Sequence, residues 1–285
     1  MRFGIVPPVV HRNPRFDPPE WEFSAGIDDL AAIARRADEL GYDFVCFPGH
    51  IAIPESAAAV RGQVYWDPVA AMSYVAAHTS RIKLCAYVVV LGYYHPLEIC
   101  KSYGCVDRLS GGRLILGTGV GSLEEEFAML GRPFTDRGPR ADDALRALRA
   151  SLGKRTPAYH GTFYDYEGFV VEPHALSERV PIWVGGRSRR SLRRALDLAD
   201  GWSPFRLQLA EIRPMLDERR AEIEERGIDL IFPPDPPLDP LGDPDDARDR
   251  VAAARAAGAT GLALRFRHVS REHYERQLEA FQKLV

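Results

Sequence analysis

A glycine-rich stretch, LSGGRLILGTGVGS over residues 109–122, is the first segment whose composition could support ligand binding. Glycine lets the backbone approach a ligand closely, and N–H groups that follow a strand can face an anion. Gly117, Gly119 and Gly121 alternate as G-x-G-x-G, however, and Ser122 stands where the dinucleotide-binding pattern requires a third glycine. The glutamates at 124–126 would also repel a phosphate. We therefore predict that this turn accommodates a flat ring; the alternative is a tight strand-to-helix turn without a ligand. Ser122 and Glu125 have the spacing of a helix capping box.

A second candidate segment, Gly185-Gly186-Arg187-Ser188, lies where a predicted strand ends and a predicted helix begins. Free backbone N–H groups and the positive end of the helix dipole favour phosphate binding there. Cations at that end of a helix are disfavoured by roughly 0.3 to 1 kcal/mol each. Five arginines nevertheless crowd the first turns: Arg187, Arg189, Arg190, Arg193 and Arg194. A bound anion, contacted by Arg187 and Arg190, would offset that cost; the alternative is a solvated arginine face.

Composition and charge restrict the function classes. Among the 285 residues, 46% are hydrophobic and 27% are charged, which is typical of a globular protein with a sizeable core. The formal charge of −3 gives no general attraction to nucleic acid. No long apolar run and no signal-peptide pattern are present, so we expect a cytoplasmic protein without a membrane partner. Cys46, Cys85, Cys100 and Cys105 lack metal-ligand spacing, and we interpret them as buried thiols and predict no metal site.

Strand-like and helix-like runs alternate along the whole chain, which is typical of parallel strands joined by helices. The predicted strands are 2–6, 43–47, 82–91, 113–117, 181–185, 201–205, 228–232 and 260–266. The predicted helices are 25–40, 67–79, 96–109, 140–152, 188–199, 209–226, 244–257 and 270–283. Eight such units predict a single (β/α)8 TIM barrel domain over residues 1–285, with an open doubly wound sheet as the alternative.

Two segments exceed what a plain barrel needs. The aromatic stretch at 156–173 predicts a hairpin inserted before the fifth strand. The proline- and aspartate-rich stretch at 232–246 predicts a long loop after the seventh strand, either a lid or a connector. In the first helix, Ser24 is the expected N-cap.

Active sites of barrels form at the carboxyl ends of the strands. The segments that follow the predicted strands are rich in glycine and aromatic residues, and they contain no H-x-H, no paired carboxylates and no G-x-S-x-G. Metal-dependent hydrolysis, glycoside hydrolysis and serine-hydrolase chemistry therefore have no support. We call the open end of the barrel at the carboxyl ends of the strands the mouth. From location alone, we expect five residues to line the mouth as the substrate pocket: Pro8, His11, Tyr93, Trp202 and Phe205.

The combination of D-R-L-S-G-G-R, G-x-G-x-G, V-G-G-R-S and D-G-W resembles the bacterial luciferase-like superfamily, and within it the oxidoreductases that depend on the deazaflavin coenzyme F420. The resemblance covers nearly the whole chain, with specific motifs up to about residue 205. It implies a (β/α)8 barrel that binds FMN or the deazaflavin at the carboxyl ends of its strands.

The resemblance also implies roles for particular residues. His50 matches the histidine beside the cofactor ring, where it would relay a proton or fix the ring. Tyr87-Val88 matches a non-prolyl cis peptide that bulges against the ring. Glu126 and Arg137 match family positions, for which we expect structural roles. Ser122 departs from the glutamate that sugar-phosphate dehydrogenases of this group carry, which argues against that substrate.

We therefore predict a coenzyme F420-dependent oxidoreductase that transfers a hydride between the deazaflavin and a small, largely apolar organic substrate. An FMN-dependent monooxygenase, with the loop at 232–246 as a lid, is the alternative within the superfamily. A non-catalytic flavin-binding protein is the alternative from another class. The resemblance also suggests a homodimer that associates through outer helices.

Overall fold

Eight short, largely apolar runs pair side by side in a closed barrel of parallel strands in the computed structural model, which describes residues 1–285. The barrel strands are β1 (Arg2–Ile5), β2 (Phe44–Phe47), β3 (Lys83–Val90), β4 (Leu114–Gly119), β7 (Ile182–Gly186), β8 (Gly201–Pro204), β9 (Asp229–Phe232) and β10 (Gly261–Leu264). The barrel closes because β1 pairs with both β2 and β10. The predicted (β/α)8 barrel is confirmed, and the open sheet is excluded.

Alternation along the strands separates two sets of apolar side chains. On β2, Phe44 and Cys46 belong to a cluster inside the barrel, whereas Val45 and Phe47 pack in the larger core between strands and helices. This follows from the two-residue period of a strand. The interior cluster consists of Val6, Phe44, Cys46, Cys85, Ile115, Trp183, Ile231 and Ala263, with Tyr87 packed against it.

Helices follow the strands and surround the barrel. They are α1 (Trp21–Ser24), α2 (Ile27–Glu39), α3 (Glu55–Arg61), α4 (Pro68–His78), α5 (Pro96–Leu109), α6 (Glu124–Met129), α7 (Arg137–Ser151), α8 (Arg189–Leu198), α9 (Leu209–Asp217), α10 (Arg220–Arg226), α11 (Pro244–Ala256) and α12 (Arg271–Leu284). The short helices α1, α3 and α6 lie in loops after barrel strands and were missed by the periodicity, because none spans enough turns to show a repeating apolar face.

Three local predictions are wrong. The helix predicted over 209–226 is two helices, because Arg219 leaves the helical conformation, and the buried face of α9 does not continue into α10. Ser24 ends α1 instead of capping α2, whose N-cap is Gly26. Ser122 does not cap α6, because Leu123 occupies the N-cap position and makes no side-chain cap hydrogen bond.

Both predicted insertions are present. Strands β5 (Tyr159–His160) and β6 (Asp165–Tyr166) form the antiparallel hairpin before β7. After β9, the chain runs through the proline-rich loop to α11, and Leu238 in this loop forms a bridge with Phe266 beyond β10. The loop is therefore held to the end of the last barrel strand.

All four cysteines are free thiols; three are buried and Cys105 is half-buried. None of the helices combines the length and the apolar composition needed to cross a lipid bilayer.

Candidate active site at the carboxyl ends of the barrel strands

A histidine and a glutamate from different loops meet at the mouth of the barrel. His50 follows β2, and its Nδ1 lies 2.7 Å from Oε2 of Glu126, which is on α6 after β4. The same carboxylate accepts hydrogen bonds from the hydroxyl of Tyr93 (2.7 Å) and from the backbone N–H of Ile51 (2.7 Å). The Glu126 side chain is fully buried, and the His50 side chain keeps 20% of its surface exposed. The sequence predicted His50 at the site; the structure adds the groups that hold it.

The hydrogen bonds around Glu126 define the state of the pair. Burial opposes ionisation, yet hydrogen bonds from His50 and Tyr93 bring the pKa of Glu126 below its usual range. Because an ionised carboxylate can only accept, Nδ1 of His50 carries the proton and donates it to Glu126. The other ring nitrogen, Nε2, makes no hydrogen bond within the protein and remains available to accept or donate a proton at the mouth.

An aromatic stack extends this region toward the loop after β1. Tyr65 stands edge-on to His50, with 4.8 Å between ring centroids, and stacks on His11 at 4.2 Å. Nε2 of His11 lies 3.1 Å from the carbonyl oxygen of Arg61, and its Nδ1 is buried without a partner. Burial lowers the pKa of His11 to about 4, so this ring is neutral near neutral pH.

The end of β3 carries the predicted cis peptide between Tyr87 and Val88. The pairing of β3 with β4 shifts between Ala86 and Val89, so Val88 bulges out of the ladder. Its side chain occupies the space beside two glycines: a Cβ on Gly119 would lie 2.8 Å from Cγ2 of Val88, and one on Gly185 would lie 3.0 Å from Cγ1.

The glycines of the G-x-G-x-G turn are thus required by the fold itself. A Cβ on Gly117 would collide with the carbonyl oxygen of Ala86. Gly121 has a φ of +80°, which disfavours other residues, and a Cβ there would lie 2.5 Å from the ring of Phe127. The following residue, Ser122, is exposed. A role of these four residues, Gly117, Gly119, Gly121 and Ser122, in cofactor binding stays a prediction.

The segment 185–188 forms the predicted junction between β7 and α8. Ser188 is the N-cap of α8, and its side chain accepts a hydrogen bond from the N–H of Ser191. A Cβ on Gly186 would collide with the Ser191 side chain, so glycine is required for this close approach. The N–H groups of the first two helical residues, Arg189 and Arg190, have no partner within the helix and lie at the same end of the barrel as His50.

The five arginines at the start of α8 divide into two groups. Arg189 pairs with Glu218, Arg193 with Asp197, and the buried Arg194 with Asp142. Arg187 and Arg190 are exposed and make no ion pair, although the Arg187 guanidinium lies 6.0 Å from the ring centroid of Phe205. The two arginines without carboxylate partners are those predicted to contact an anion.

The residues predicted to line the substrate pocket have different surroundings. Phe205 is 43% exposed at the mouth, while Pro8 and His11 are buried in the loop after β1. Tyr93 is buried, and its hydroxyl donates a hydrogen bond to Glu126. Trp202 corrects our expectation: it is fully buried outside the barrel, where its indole N–H donates to Ser191 on α8. Its neighbour on β8, Ser203, takes the inward position because side chains alternate along a strand.

The upper part of the barrel interior contains polar groups that sequence reasoning missed. The hydroxyl of Tyr87 lies 2.7 Å from Oγ of Ser203, which in turn donates to the carbonyl oxygen of Ile231. Arg265 directly follows β10, two residues after the inward-facing Ala263. The signal for Ser203 and Arg265 was the two-residue period along strands whose carboxyl ends point to the mouth. No such signal existed for Tyr65, which belongs to an irregular segment.

Side chains of His, Cys, Asp and Glu do not gather anywhere in groups of three or more that could ligate a metal ion.

Solved structures with the same fold include a monooxygenase and an F420-dependent reductase. The monooxygenase RslO1 from Streptomyces bottropensis matches with a TM-score of 0.82 and 20% identity, covering 100% of this chain and 98% of that one. The coenzyme F420-dependent tetrahydromethanopterin reductase from Methanopyrus kandleri matches with a TM-score of 0.75 and 14% identity over the same shares. At these identities the likeness shows the fold alone.

The matches to sequence relatives cover only part of each chain. An uncharacterized protein of Mycobacterium tuberculosis is 29% identical over 182 residues, which cover 60% of this chain and 62% of the relative. The FMNH2-dependent dimethylsulfone monooxygenase of Pseudomonas putida is 26% identical over 155 residues, which cover 53% of this chain and 42% of the relative. The match thus spans less than two thirds of the length of these relatives. The family model of the luciferase-like monooxygenases, however, matches residues 1–283. The chain therefore belongs to the luciferase-like monooxygenase family, a family of enzymes.

Proposed function

We propose that the protein is an oxidoreductase that binds coenzyme F420 at the carboxyl ends of its barrel strands and transfers a hydride between this cofactor and a small organic substrate. The observation that carries the proposal is the pair formed by His50 and Glu126. In this pair, Nδ1 of His50 donates to Glu126, while Nε2 has no partner in the protein and lies at the mouth of a barrel of this family.

The residues at the mouth fit such a cofactor. Arg187 and Arg190 have no carboxylate partner, and together with the N–H groups at the start of α8 they would hold its phosphate. The bulge at Val88 and the accessible face of His50 would lie beside its ring. When bound, the deazaflavin supplies the carbon that gives or accepts the hydride, and the protein supplies orientation and proton transfer.

His50 would move the proton that accompanies a hydride transfer. With Nδ1 donating to Glu126, a neutral ring presents an acceptor lone pair at Nε2, which can take a proton from a substrate hydroxyl as the hydride leaves the adjacent carbon. In the reverse direction the protonated ring returns that proton to a carbonyl oxygen. Glu126 holds the ring in one tautomer and balances the charge of the imidazolium form, while Tyr93 and Ile51 keep the carboxylate in place.

A second candidate is an FMN-dependent monooxygenase. It is favoured by the FMNH2-dependent relative and by the monooxygenase of the same fold described above. The same two arginines would serve the phosphate of FMN. The loop after β9, fastened to Phe266 through Leu238, would then act as the cover that excludes water from the reaction.

A titration of the purified protein with F420 and with FMN, each oxidised and reduced, separates the two candidates. Cofactor fluorescence and tryptophan quenching report binding. We expect tight binding of F420 and weak binding of FMN. Preference for FMN, followed by oxygen consumption with reduced FMN, would replace the first candidate by the second.

The variant His50→Gln tests the role of the histidine once a substrate has been found by screening alcohols and carbonyl compounds against oxidised and reduced F420. Loss of a general acid or base lowers turnover by about 100-fold or more, whereas cofactor affinity should change little. Equal turnover of wild type and variant would remove His50 from the mechanism.

A further inference from the structure

Arg265 is the arginine that extends the inner face of a barrel strand to the mouth. It directly follows β10, and Ala263, two residues earlier, belongs to the interior cluster. The period of the strand therefore turns Arg265 inward, one layer above Ala263. Burial is the main cause of the pKa shifts of Tyr87 on β3, Tyr65 and His11, and the charge of Arg265 contributes to each of them, which is expected of a guanidinium near these residues.

The guanidinium of Arg265 has no hydrogen-bond or ion-pair partner in the protein. Its nitrogens donate no hydrogen bond and lie in no ion pair, and none of them is among the side-chain atoms that are buried without a partner. They therefore keep contact with open space at the mouth. The backbone oxygen of Arg265, by contrast, accepts a hydrogen bond from the N–H of Leu238 in the loop after β9. The residue is thus fixed at its backbone and free at its charged end.

The nearby carboxylate does not neutralise this charge directly. Glu22 on α1 is buried, but Oε1 lies 2.9 Å from Nε2 of His268 and Oε2 accepts from the N–H of Val9. Burial lowers the pKa of Arg265, which reflects the loss of hydration around a cation that remains protonated. The ring of Phe16, from the loop after β1, covers the guanidinium at 4.9 Å. A half-buried cation with five unused donors is costly unless something else pairs with it.

We propose that Arg265 binds an anionic group of the substrate, most simply a carboxylate, inside the mouth of the barrel. The inference rests on the proposed function, in that the mouth is taken as the place of reaction. A carboxylate matches the planar fork of the guanidinium in a bidentate pair. The linked hydroxyls of Tyr87 and Ser203 lie in the same inner layer and offer further polar contacts to the bound group.

This anion site is separate from the one proposed for the cofactor phosphate. Arg187 and Arg190 lie where β7 is followed by α8, and β8 and β9 stand between β7 and β10 in the barrel. An anion held by Arg265 is therefore on the side of the mouth that His11, Tyr65 and His50 also line. The substrate would be held at one end by Arg265 and would present its reacting carbon toward His50.

Binding of benzoate and of its neutral isostere benzamide, followed by ligand-observed saturation-transfer NMR, tests the proposal without turnover. For the wild type we expect benzoate to bind about tenfold more tightly than benzamide, because a charge-assisted pair is lost with the amide. Arg265→Met should abolish this preference and leave benzamide binding unchanged, and Arg265→Lys should retain part of it. Arg206→Met, which removes an exposed arginine from the loop after β8 at the same end of the barrel, is the matched control and should behave like the wild type.

Several outcomes would overturn the proposal. Equal binding of the two ligands by the wild type, or a preference that survives in Arg265→Met, would show that Arg265 holds no anion. A preference lost in Arg206→Met or in Arg187→Ala/Arg190→Ala would place the anion elsewhere. Should Arg265→Met fail to fold, the same comparison is made with Arg265→Lys and Arg265→Gln, of which only the glutamine variant should lose the preference.

Titration of the same variants with F420 and FMN keeps this proposal distinct from the proposed function. If neither cofactor binds the wild type but the benzoate preference depends on Arg265, the function proposed above fails while the anion site stands. If Arg265→Met weakens cofactor binding and leaves benzoate binding intact, the guanidinium serves the cofactor and the substrate-anion site is refuted.

Discussion

Nδ1 of His50 lies 2.7 Å from Oε2 of Glu126, although the two residues are 76 positions apart in the chain and sit on loops after different strands. The carboxylate is fully buried, and the imidazole is partly exposed. One end of the histidine is therefore fixed by the fold, and the other end is open to the mouth. The proton transfer that we propose for His50 needs this asymmetry, and a substitution at the buried end tests it.

Glu126→Gln should lower both stability and turnover. An amide cannot accept on both of its terminal atoms, so its NH2 group would face either the donors His50 and Tyr93 or the N–H of Ile51. We expect a loss of about 1 to 3 kcal/mol in the free energy of unfolding and a fall in turnover of about tenfold or more. Urea denaturation and steady-state kinetics measure the two effects.

The matched control for this variant is Glu125→Gln, which makes the same chemical change at an exposed position one residue earlier on α6. It should alter stability by less than about 0.5 kcal/mol. If both variants behave alike, the buried carboxylate has no special role in holding His50.

The double variant Arg187→Ala/Arg190→Ala should raise the dissociation constant of the proposed cofactor by about 2- to 30-fold, since an exposed ion pair with a bound anion contributes about 0.2 to 1 kcal/mol. Arg193→Ala is the control, because this residue lies on the same helix but pairs with Asp197. The fluorescence titration described above measures all three proteins. Unchanged affinity in the double variant would favour a solvated arginine face at the start of α8.

Protonation of His11 should destabilise the protein at acidic pH. Burial lowers the pKa of its imidazole from 6.5 to about 4, so between these values the unfolded chain binds a proton that the folded chain does not. Stability is then lost as the pH falls below 6.5. The free energy of unfolding of the wild type, relative to His11→Gln, should decrease by about 3 kcal/mol between pH 7 and pH 4.

Glutamine is a suitable reference at position 11 because it can donate to the carbonyl oxygen of Arg61 and does not titrate. Chemical denaturation of both proteins at several pH values gives the difference. Parallel curves for wild type and variant would mean that His11 is not the group whose protonation matters.

The glycines of the G-x-G-x-G turn should be intolerant to alanine in a graded order. At Gly117 an added Cβ meets the backbone oxygen of Ala86, which cannot move without disturbing β3, whereas at Gly119 it meets a methyl group of Val88 at 2.8 Å. We expect Gly119→Ala to cost about 1 to 3 kcal/mol and Gly117→Ala to cost more.

Gly138→Ala is the control for this series. Gly138 lies within α7, where a Cβ would meet only a guanidinium nitrogen of Arg194 at ordinary contact distance, 3.7 Å. Alanine should be neutral there or stabilising by up to about 1 kcal/mol. Thermal melting of the three variants gives the order, and similar losses at all three positions would contradict the packing explanation.

Most of the barrel could be predicted from local patterns. Runs such as residues 43–47 and 113–117 alternate with helices, and the two-residue and 3.6-residue periods depend on neighbours along the chain. For this reason the number and order of the barrel strands, the hairpin and the proline-rich loop agreed with the structure. The short helices α1 and α3 and the break at Arg219 were not predicted, and α6 was indicated only by the capping-box spacing of Ser122 and Glu125.

The candidate site also has features that the sequence predicted and features that it did not. Position after a strand, read together with the family resemblance, was enough to select His50, the segment 185–188 and the peptide between Tyr87 and Val88. Position could not show that Trp202 faces α8, because a shift of one residue along a short strand exchanges its two faces.

The amino-acid sequence alone therefore determined the strand and helix order and the family, and it predicted the end of the barrel at which the candidate site lies. The partners of each side chain were settled only when the chain closed on itself. Glu126 reaches His50 because the closed barrel brings the ends of distant strands to one rim. The same closure decides which side chains surround Arg265, and none of them forms an ion pair with it. Contacts of that kind depend on three-dimensional distances that no local period encodes.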